Sequence, residues 1–235
     1  SWQGAINDFN YDYVRDNGKE VSDEVFVDFR WGGYSPDTTV NKSKEIGFDP
    51  MNAFFGFDVQ SSNSLNGYLY RQYGGTLDML MNEDGTPKVS LGFYVPDSVM
   101  RTNASKEGMD FWNTVWKYEK DLWVNSTGKV GNESEINWKG ISTHFPEKTP
   151  ITSLPFTSSF NQGAGDNFFV EGKLAKKGTF INRSTQDIMP TYRWMYENEN
   201  GNKLVPQLDV NTVYYGGSSI KYEGAMAKSG NTKST

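Results

Sequence analysis

At 235 residues and 36% apolar content, the chain is long enough for one full domain core, or for one domain and part of another. A formal net charge of −6 excludes the basic footprint of a nucleic-acid binder, and no nucleic-acid partner is expected. Cysteine is absent, which excludes disulfides and thiolate sites, and no apolar run reaches the length of a membrane span. No signal peptide is visible, and the opening Ser1-Trp2 fits a processed or truncated start.

In chain order, residues 2–14 predict a short amphipathic helix, with Trp2, Ile6, Phe9 and Tyr13 near helical spacing. Asn17-Gly18 marks a turn. "DEVFVDFRW" (23–31) predicts the first strand, Val25, Val27 and Phe29 alternating with Phe26, Asp28 and Arg30. It closes on Arg30 and Trp31 before Gly32-Gly33, where plain turn residues would serve. Residues 37–47 predict a helix ending near Gly47, and 53–59 ("AFFGFDV") the second strand. A polar loop runs from Gln60 to Gly67, and Asp84-Gly85 is a further turn. "VSLGFYVPD" predicts the third strand, and 105–123 the clearest helix, with Phe111, Val115, Tyr118 and Leu122 on one face. "SLPFTSSFNQGAG" (153–165) reads as a fourth strand. Beyond Asn161, aromatic and β-branched residues lose helical period, and from about residue 201 to the end at 235 the pattern of strands and turns resembles the start of an all-β sandwich, too short to close by itself.

Strands alternating with helices argue for α/β units and a parallel sheet. In the second strand Ala53, Phe55, Phe57 and Val59 oppose Phe54, Gly56 and Asp58; in the third Leu91, Phe93 and Val95 oppose Ser90, Gly92 and Tyr94. One bulky face and one small or polar face suit the later part of a (β/α)8 TIM barrel better than a doubly wound sheet. Chemistry in such barrels collects where strands exit. The exits here are Asp28, Arg30 and Trp31, then Asp58 and Gln60, then Tyr94, then Asn161 and Gln162. Rings stack on pyranose C–H faces, and carboxylates and amides bind hydroxyls, so this set points to sugars. Trp31 has two readings: a platform for a sugar, or a cap on the barrel core.

The remaining motifs carry less. His144, the sole histidine, has no Ser or Cys constellation beside it and reads as structural. Gly163-Ala164-Gly165 lacks the Lys of a phosphate-binding loop and reads as a tight turn. No acidic stretch has calcium-loop spacing, and Asp187 reads as a turn cap.

The blocks "SWQGAINDFN", "DEVFVDFRW", "FFGFDVQ", "SLGFYVP", "GISTHFPEKTPITSLPFTSSFNQGAGDNFFVEGK" and "NRSTQDIMPTYRW" stand in the order of glycoside hydrolase family 85. The chain resembles these endo-β-N-acetylglucosaminidases, in their bacterial endo-D type, over roughly Trp2 to Gly224. The resemblance implies a barrel portion over 1–200 followed by the beginning of a jelly-roll-like β-sandwich over 201–235. It implies hydrolysis of the GlcNAc-β1,4-GlcNAc core of Asn-linked glycans, with the substrate's own acetamido group as nucleophile and an oxazoline intermediate. A Glu acts as acid and then base, and an Asn two residues before it orients the acetamido group. No metal or other cofactor is implied. No Asn-x-Glu occurs in this sequence, so the catalytic pair is expected upstream of Ser1 and no catalytic residue within the chain. Glu133, Glu135, Glu197 and Glu199 lie in polar loops and are not candidates. What carries over is the substrate wall: Trp2 and Trp31 match aromatic positions of the cleft, Asp58 matches the aspartate of a Gly-Asp-Val motif as a hydroxyl acceptor for mannose, and Tyr94 and Asn161 are placed by strand end. The partners expected are N-linked glycans and the N-terminal half of the barrel itself. The family's substrates imply a secreted or cell-surface protein. The alternatives are a non-catalytic glycan-binding protein on the same scaffold, and a β/α piece whose rings are all core.

Overall fold

The structure, a computed structural model, describes residues 4–29, 31–59, 77–125, 138–146, 148–189, 196–198, 203–226 and 232–234. The chain forms two compact units: Ser1–Asn103 with Tyr118–Pro146, and Ala104–Lys117 with Glu147–Thr235. The chain passes from one unit to the other after Asn103, after Lys117 and after Pro146.

The first unit opens without the helix expected over 2–14. In its described part only Tyr11–Tyr13 winds into a 3-10 turn. The cause is side-chain competition for the backbone. Asn7 Oδ1 accepts from Phe9 N at 2.9 Å, Asn10 Oδ1 accepts from Asn7 N at 2.8 Å, and Asn10 Nδ2 donates to Ala5 O at 2.9 Å. A small hairpin follows, β1 (Arg15–Asp16) and β2 (Lys19–Glu20), turning at Asn17-Gly18 with φ of 49° and 74°. That double left-handed pair is the geometry Asn-Gly favours.

Next come β3 (Val25–Val27), helix α1 (Ser35–Ile46) and β4 (Ala53–Asp58). Pro36 sits in the first turn of α1, and Gly47 ends it in the left-handed region. β3 is shorter than expected because Asp28 Oδ1 takes Phe29 N at 2.7 Å, withdrawing that donor from the ladder. β5 (Ser90–Tyr94) completes a parallel sheet of order β3-β4-β5, with Val27 paired to Phe55 and Phe55 to Leu91. β3 and β4, consecutive parallel neighbours joined through α1, make an α/β unit of the kind read from the sequence.

The bulky face of the sheet makes the core as expected. Val27, Ala53, Phe55 and Phe57 are wholly buried, and Val40 and Ile46 of α1 pack against them. Trp138 stacks on Phe57 with ring centroids 6.1 Å apart, and its Nε1 donates to Asp121 O at 3.0 Å. The opening segment is clasped to α1 through buried Thr39, whose Oγ1 accepts from Ile6 N at 3.1 Å. Lys42 binds Asp8 and, at 2.6 Å, Glu45, and lies over the Tyr11 ring; these carboxylates raise its pKa. Thr39→Val keeps the shape but strands a buried N–H, so it is expected to lower unfolding free energy by about 1–2 kcal/mol in urea titration.

Helix α2 (Ser98–Thr102) leads to α3 (Gly108–Trp123), whose early residues belong to the second unit. There Trp112 Nε1 donates to Asp166 Oδ1 at 2.8 Å, and Trp116 Nε1 donates to the Gln162 side chain. The strands of this unit are antiparallel. β6 (Ala164–Val170) pairs with β7 (Lys173–Ile181), β8 (Tyr196–Asn198) with β11 (Thr232–Ser234), and β9 (Lys203–Asp209) with β10 (Ser219–Ala225). The fourth strand expected over 153–165 is absent until Ala164. Its donors go elsewhere: Ser159 N and Asn161 N reach Asp187 Oδ2 at 2.8 and 3.3 Å, and Phe160 N reaches Ser158 Oγ at 3.0 Å. Phe160 also turns left-handed at φ 57°. Asp187, read from its sequence context as the cap of a short local turn, instead binds backbone 26–28 residues earlier in the chain.

Candidate functional site

The second face of the parallel sheet carries Phe26, Phe54, Gly56, Asp58, Ser90, Gly92 and Tyr94. Phe26 is 44% and Tyr94 43% exposed; on the other face Phe55 and Phe57 are fully buried and Phe93, on β5, is 38% exposed. Gly56 pairs with Gly92, and Asp58 with Tyr94 one step nearer the strand exits. The Phe26 ring lies over the glycine pair. A Cβ added at Gly56 would stand 2.8 Å from Phe26 Cε1, and one at Gly92 would stand 2.6 Å from Phe26 Cε2. Phe29 meets Phe26 edge-on at 5.8 Å and leans against Tyr94 at 4.9 Å. Three rings and a rim carboxylate therefore converge at the exits of β3, β4 and β5. That combination offers flat apolar surface and a hydroxyl acceptor.

Of the residues singled out in the sequence, Asp58 and Tyr94 come together here. Trp31 does not join them, and its reading as a sugar platform is corrected. The indole is 7% exposed, donates Nε1 to Gly56 O at 2.8 Å, and packs edge-on to Phe55 at 5.6 Å. Its second reading, a cap on the core, is the one the contacts support. Asn161 is also corrected. It lies in the second unit, fully buried, with Nδ2 donated to Thr185 O at 2.7 Å and Oδ1 accepting from Gly163 N and Gly217 N, each at 3.0 Å. Its amide oxygen is fully used and the whole side chain is buried away from any sugar. Trp2, Arg30 and Gln60 lie outside the described residues.

Phe26, Phe29 and the glycine pair were missed. A signal existed: "FGFDV" (55–59) and "LGFYV" (91–95) share Gly-Phe-x-Val, which predicts two glycines at one sheet level if the strands are neighbours. His144 is buried, with Nε2 2.6 Å from Asp78 Oδ1, and ties the turn at Ile141–Thr143 to that at Leu77–Leu80. Gly163 is a turn residue at φ 70°, where a Cβ would meet Asn182 O at 2.4 Å. Ser98 Oγ donates to Val59 O at 2.6 Å, fixing the chain just beyond Asp58. Among the described residues no helix is long and apolar enough to cross a membrane.

The chain is similar to cytosolic endo-β-N-acetylglucosaminidase 1 of Arabidopsis thaliana, 21% identical over 97% of this chain and 28% of the relative. It is 25% identical to the cytosolic endo-β-N-acetylglucosaminidase of Danio rerio over 96% of this chain and 27% of the relative. The glycoside hydrolase domain of Endo-D from Streptococcus pneumoniae R6 superposes with a TM-score of 0.69 at 29% identity, covering 94% of this chain and 33% of that one. The chain thus spans between a quarter and a third of the proteins it resembles. The curated relatives are named cytosolic, which overturns the expectation of a secreted or cell-surface protein. Residues 1–168 match the family model of Glycosyl hydrolase family 85, and the chain belongs to that family.

Proposed function

We propose that this chain is part of an endo-β-N-acetylglucosaminidase that cleaves the GlcNAc-β1,4-GlcNAc core of Asn-linked glycans. The reading is supported above all by the family match over residues 1–168. In it, β3, β4 and β5 are neighbouring staves of a (β/α)8 barrel, and the antiparallel hairpins of the second unit open a β-sandwich. The second face is the lumen side of the cleft wall. Asp58 accepts hydrogen bonds from sugar hydroxyls, and Tyr94 offers ring and hydroxyl together. Hydrolysis proceeds by substrate assistance, the acetamido oxygen attacking the anomeric carbon as a Glu protonates the leaving oxygen. The Asn-x-Glu pair that performs this comes from sequence outside the chain, since no such pair occurs within it.

The test is hydrolysis of an N-glycosylated peptide by the protein expressed from its complete reading frame. Asp58→Ala is expected to lower kcat/KM about 10- to 100-fold, the value of a lost hydrogen bond to a charged acceptor. Tyr94→Ala is expected to lower it about tenfold. Unchanged kinetics in both would remove this face from the cleft.

A further inference from the structure

Resting on that glycan reading, we infer that Val95 is a positioning residue for the reaction, a strained elbow that fixes Tyr94 and Asp58 against each other at the mouth of the cleft. The sequence makes Val95 the last residue on the bulky face of its strand. The strand instead ends at Tyr94, and Val95 turns left-handed at φ 55°. Two features of this residue oppose that conformation. A β-branched side chain crowds its own backbone at positive φ, and the following Pro96 pushes its predecessor toward extended backbone. The other left-handed non-glycine positions among the described residues are Asn17, Asn125, Phe160 and Glu171, none of them β-branched or followed by proline. Glycine would take the same corner without strain, so a valine there is held in place by its surroundings.

The hold comes from both flanks. Val95 O accepts from Ser98 N at 3.1 Å, closing a turn through Pro96 and Asp97, the latter at φ −80° and ψ −2°. That is type I geometry with proline in its favoured place. The turn delivers Ser98, 3% exposed, to the exit of β4, where its Oγ donates to Val59 O at 2.6 Å. Val59 N in turn donates to Tyr94 O at 3.2 Å. Both backbone groups of Val59 are thus gripped by residues on either side of Val95. The Asp58–Tyr94 pair is the last rung of the β4–β5 ladder, next to this clamp, and the Tyr94 ring leans on Phe29 at 4.9 Å. An extended Val95 would carry the chain straight on along β5 and release both exits. Strain of this kind gathers where a geometry must be held. What is held here is the spacing of a carboxylate and a phenol on neighbouring strands, and such groups must stay within about 0.5 Å of their working positions. A merely structural corner predicts that relieving the strain harms nothing. A positioning elbow predicts opposite signs, with the fold gaining and the reaction losing.

The experiment uses the protein from its complete reading frame, with urea titration and hydrolysis of an N-glycosylated peptide. Val95 is half-buried and stands outside the apolar cluster beneath the sheet, so glycine forfeits little packing. Val95→Gly is expected to unfold at a higher urea concentration and to lower kcat/KM about five- to tenfold, because the corner is no longer confined. Val95→Asn accepts the left-handed turn and keeps a Cβ; it should retain the gain in stability and recover kcat/KM to within about threefold of the parent. Ser98→Ala, which strands the Val59 carbonyl, is expected to lower both stability and kcat/KM. Val95→Gly unfolding at a lower urea concentration would show that the valine is not strained, and would overturn the inference. So would kcat/KM within about twofold of the parent in that variant. Val95→Asn as impaired as Val95→Gly would assign the effect to lost valine packing, and overturns it too. In each of these cases the parent still cleaves and the glycan reading stands. A parent that leaves the glycopeptide intact overturns that reading, and the inference with it.

Discussion

Trp31→Ala will destabilise the first unit by about 3–5 kcal/mol, the range for removing a large buried ring from a packed core. The indole is 7% exposed and belongs to the same apolar cluster as Val27, Phe55 and Phe57. Truncation leaves a void beside Phe55, whose ring it meets edge-on, and takes the Nε1 donor from Gly56 O. Trp31→Phe separates the two losses: it keeps most of the packing, drops the N–H, and should cost about 1–2 kcal/mol. Denaturant titration measures both. The same pair decides between core cap and sugar platform. A platform is exposed, so its removal would spare stability and abolish glycan binding. A core cap behaves oppositely, with binding per folded molecule unchanged below the transition. The consequence for function is indirect, since Gly56 lies beneath Phe26 and any shift of β4 disturbs the second face.

Asn161→Ala should be comparably severe in the second unit, at about 3–5 kcal/mol, because it leaves two buried N–H groups and a carbonyl short of partners at roughly 1–3 kcal/mol each before relaxation. One amide joins three places remote in sequence: Gly163, Thr185 and Gly217. The fit is close on every side, for a Cβ at Gly216, which is left-handed at φ 83°, would fall 2.1 Å from Asn161 Cγ. Asn161→Asp is the sharper probe. It keeps the acceptor for the two glycine N–H groups, but an ionised oxygen now faces Thr185 O, and Asp187 is already bound to the Asn161 backbone. The charged form is disfavoured, so the introduced group titrates above an ordinary Asp. Its neutral form donates as the amide did. Stability of that variant is therefore expected to be largest at low pH and to be lost as pH rises through the folded-state value. Thermal melts across a pH series check the sign, and a pH-independent deficit would show that Thr185 O is not the partner that matters.

Legibility in the sequence followed the range of the forces involved. α1, β4, β5 and α3 were readable because periodicity reports which face is buried, and Phe55, Phe57, Phe111 and Val115 are indeed buried. The helix expected over 2–14 had the right spacing, yet Asn7 and Asn10 bind nearby backbone groups and close the segment into turns. The expected strand over 153–165 failed for a long-range version of the same reason, since Asp187 takes its donors. Asp58 and Tyr94 stand side by side at the ends of β4 and β5 as read, because strand exits can be counted along a chain. Trp31 and Asn161 also stand at apparent exits, but where their side chains turn depends on Gly56 and Gly217, 25 and 56 residues away. Phe26 was missed because an apolar residue within a strand reads as core until the sheet register shows two glycines beneath it.

The most direct test of the account is proton NMR of an N-glycosylated peptide during digestion by the protein from its complete reading frame. The account predicts that one GlcNAc stays on the asparagine and that the released glycan appears first as the β-anomer, the mark of retention through an oxazoline. Release of the α-anomer first, or an intact glycopeptide after prolonged digestion, would contradict it.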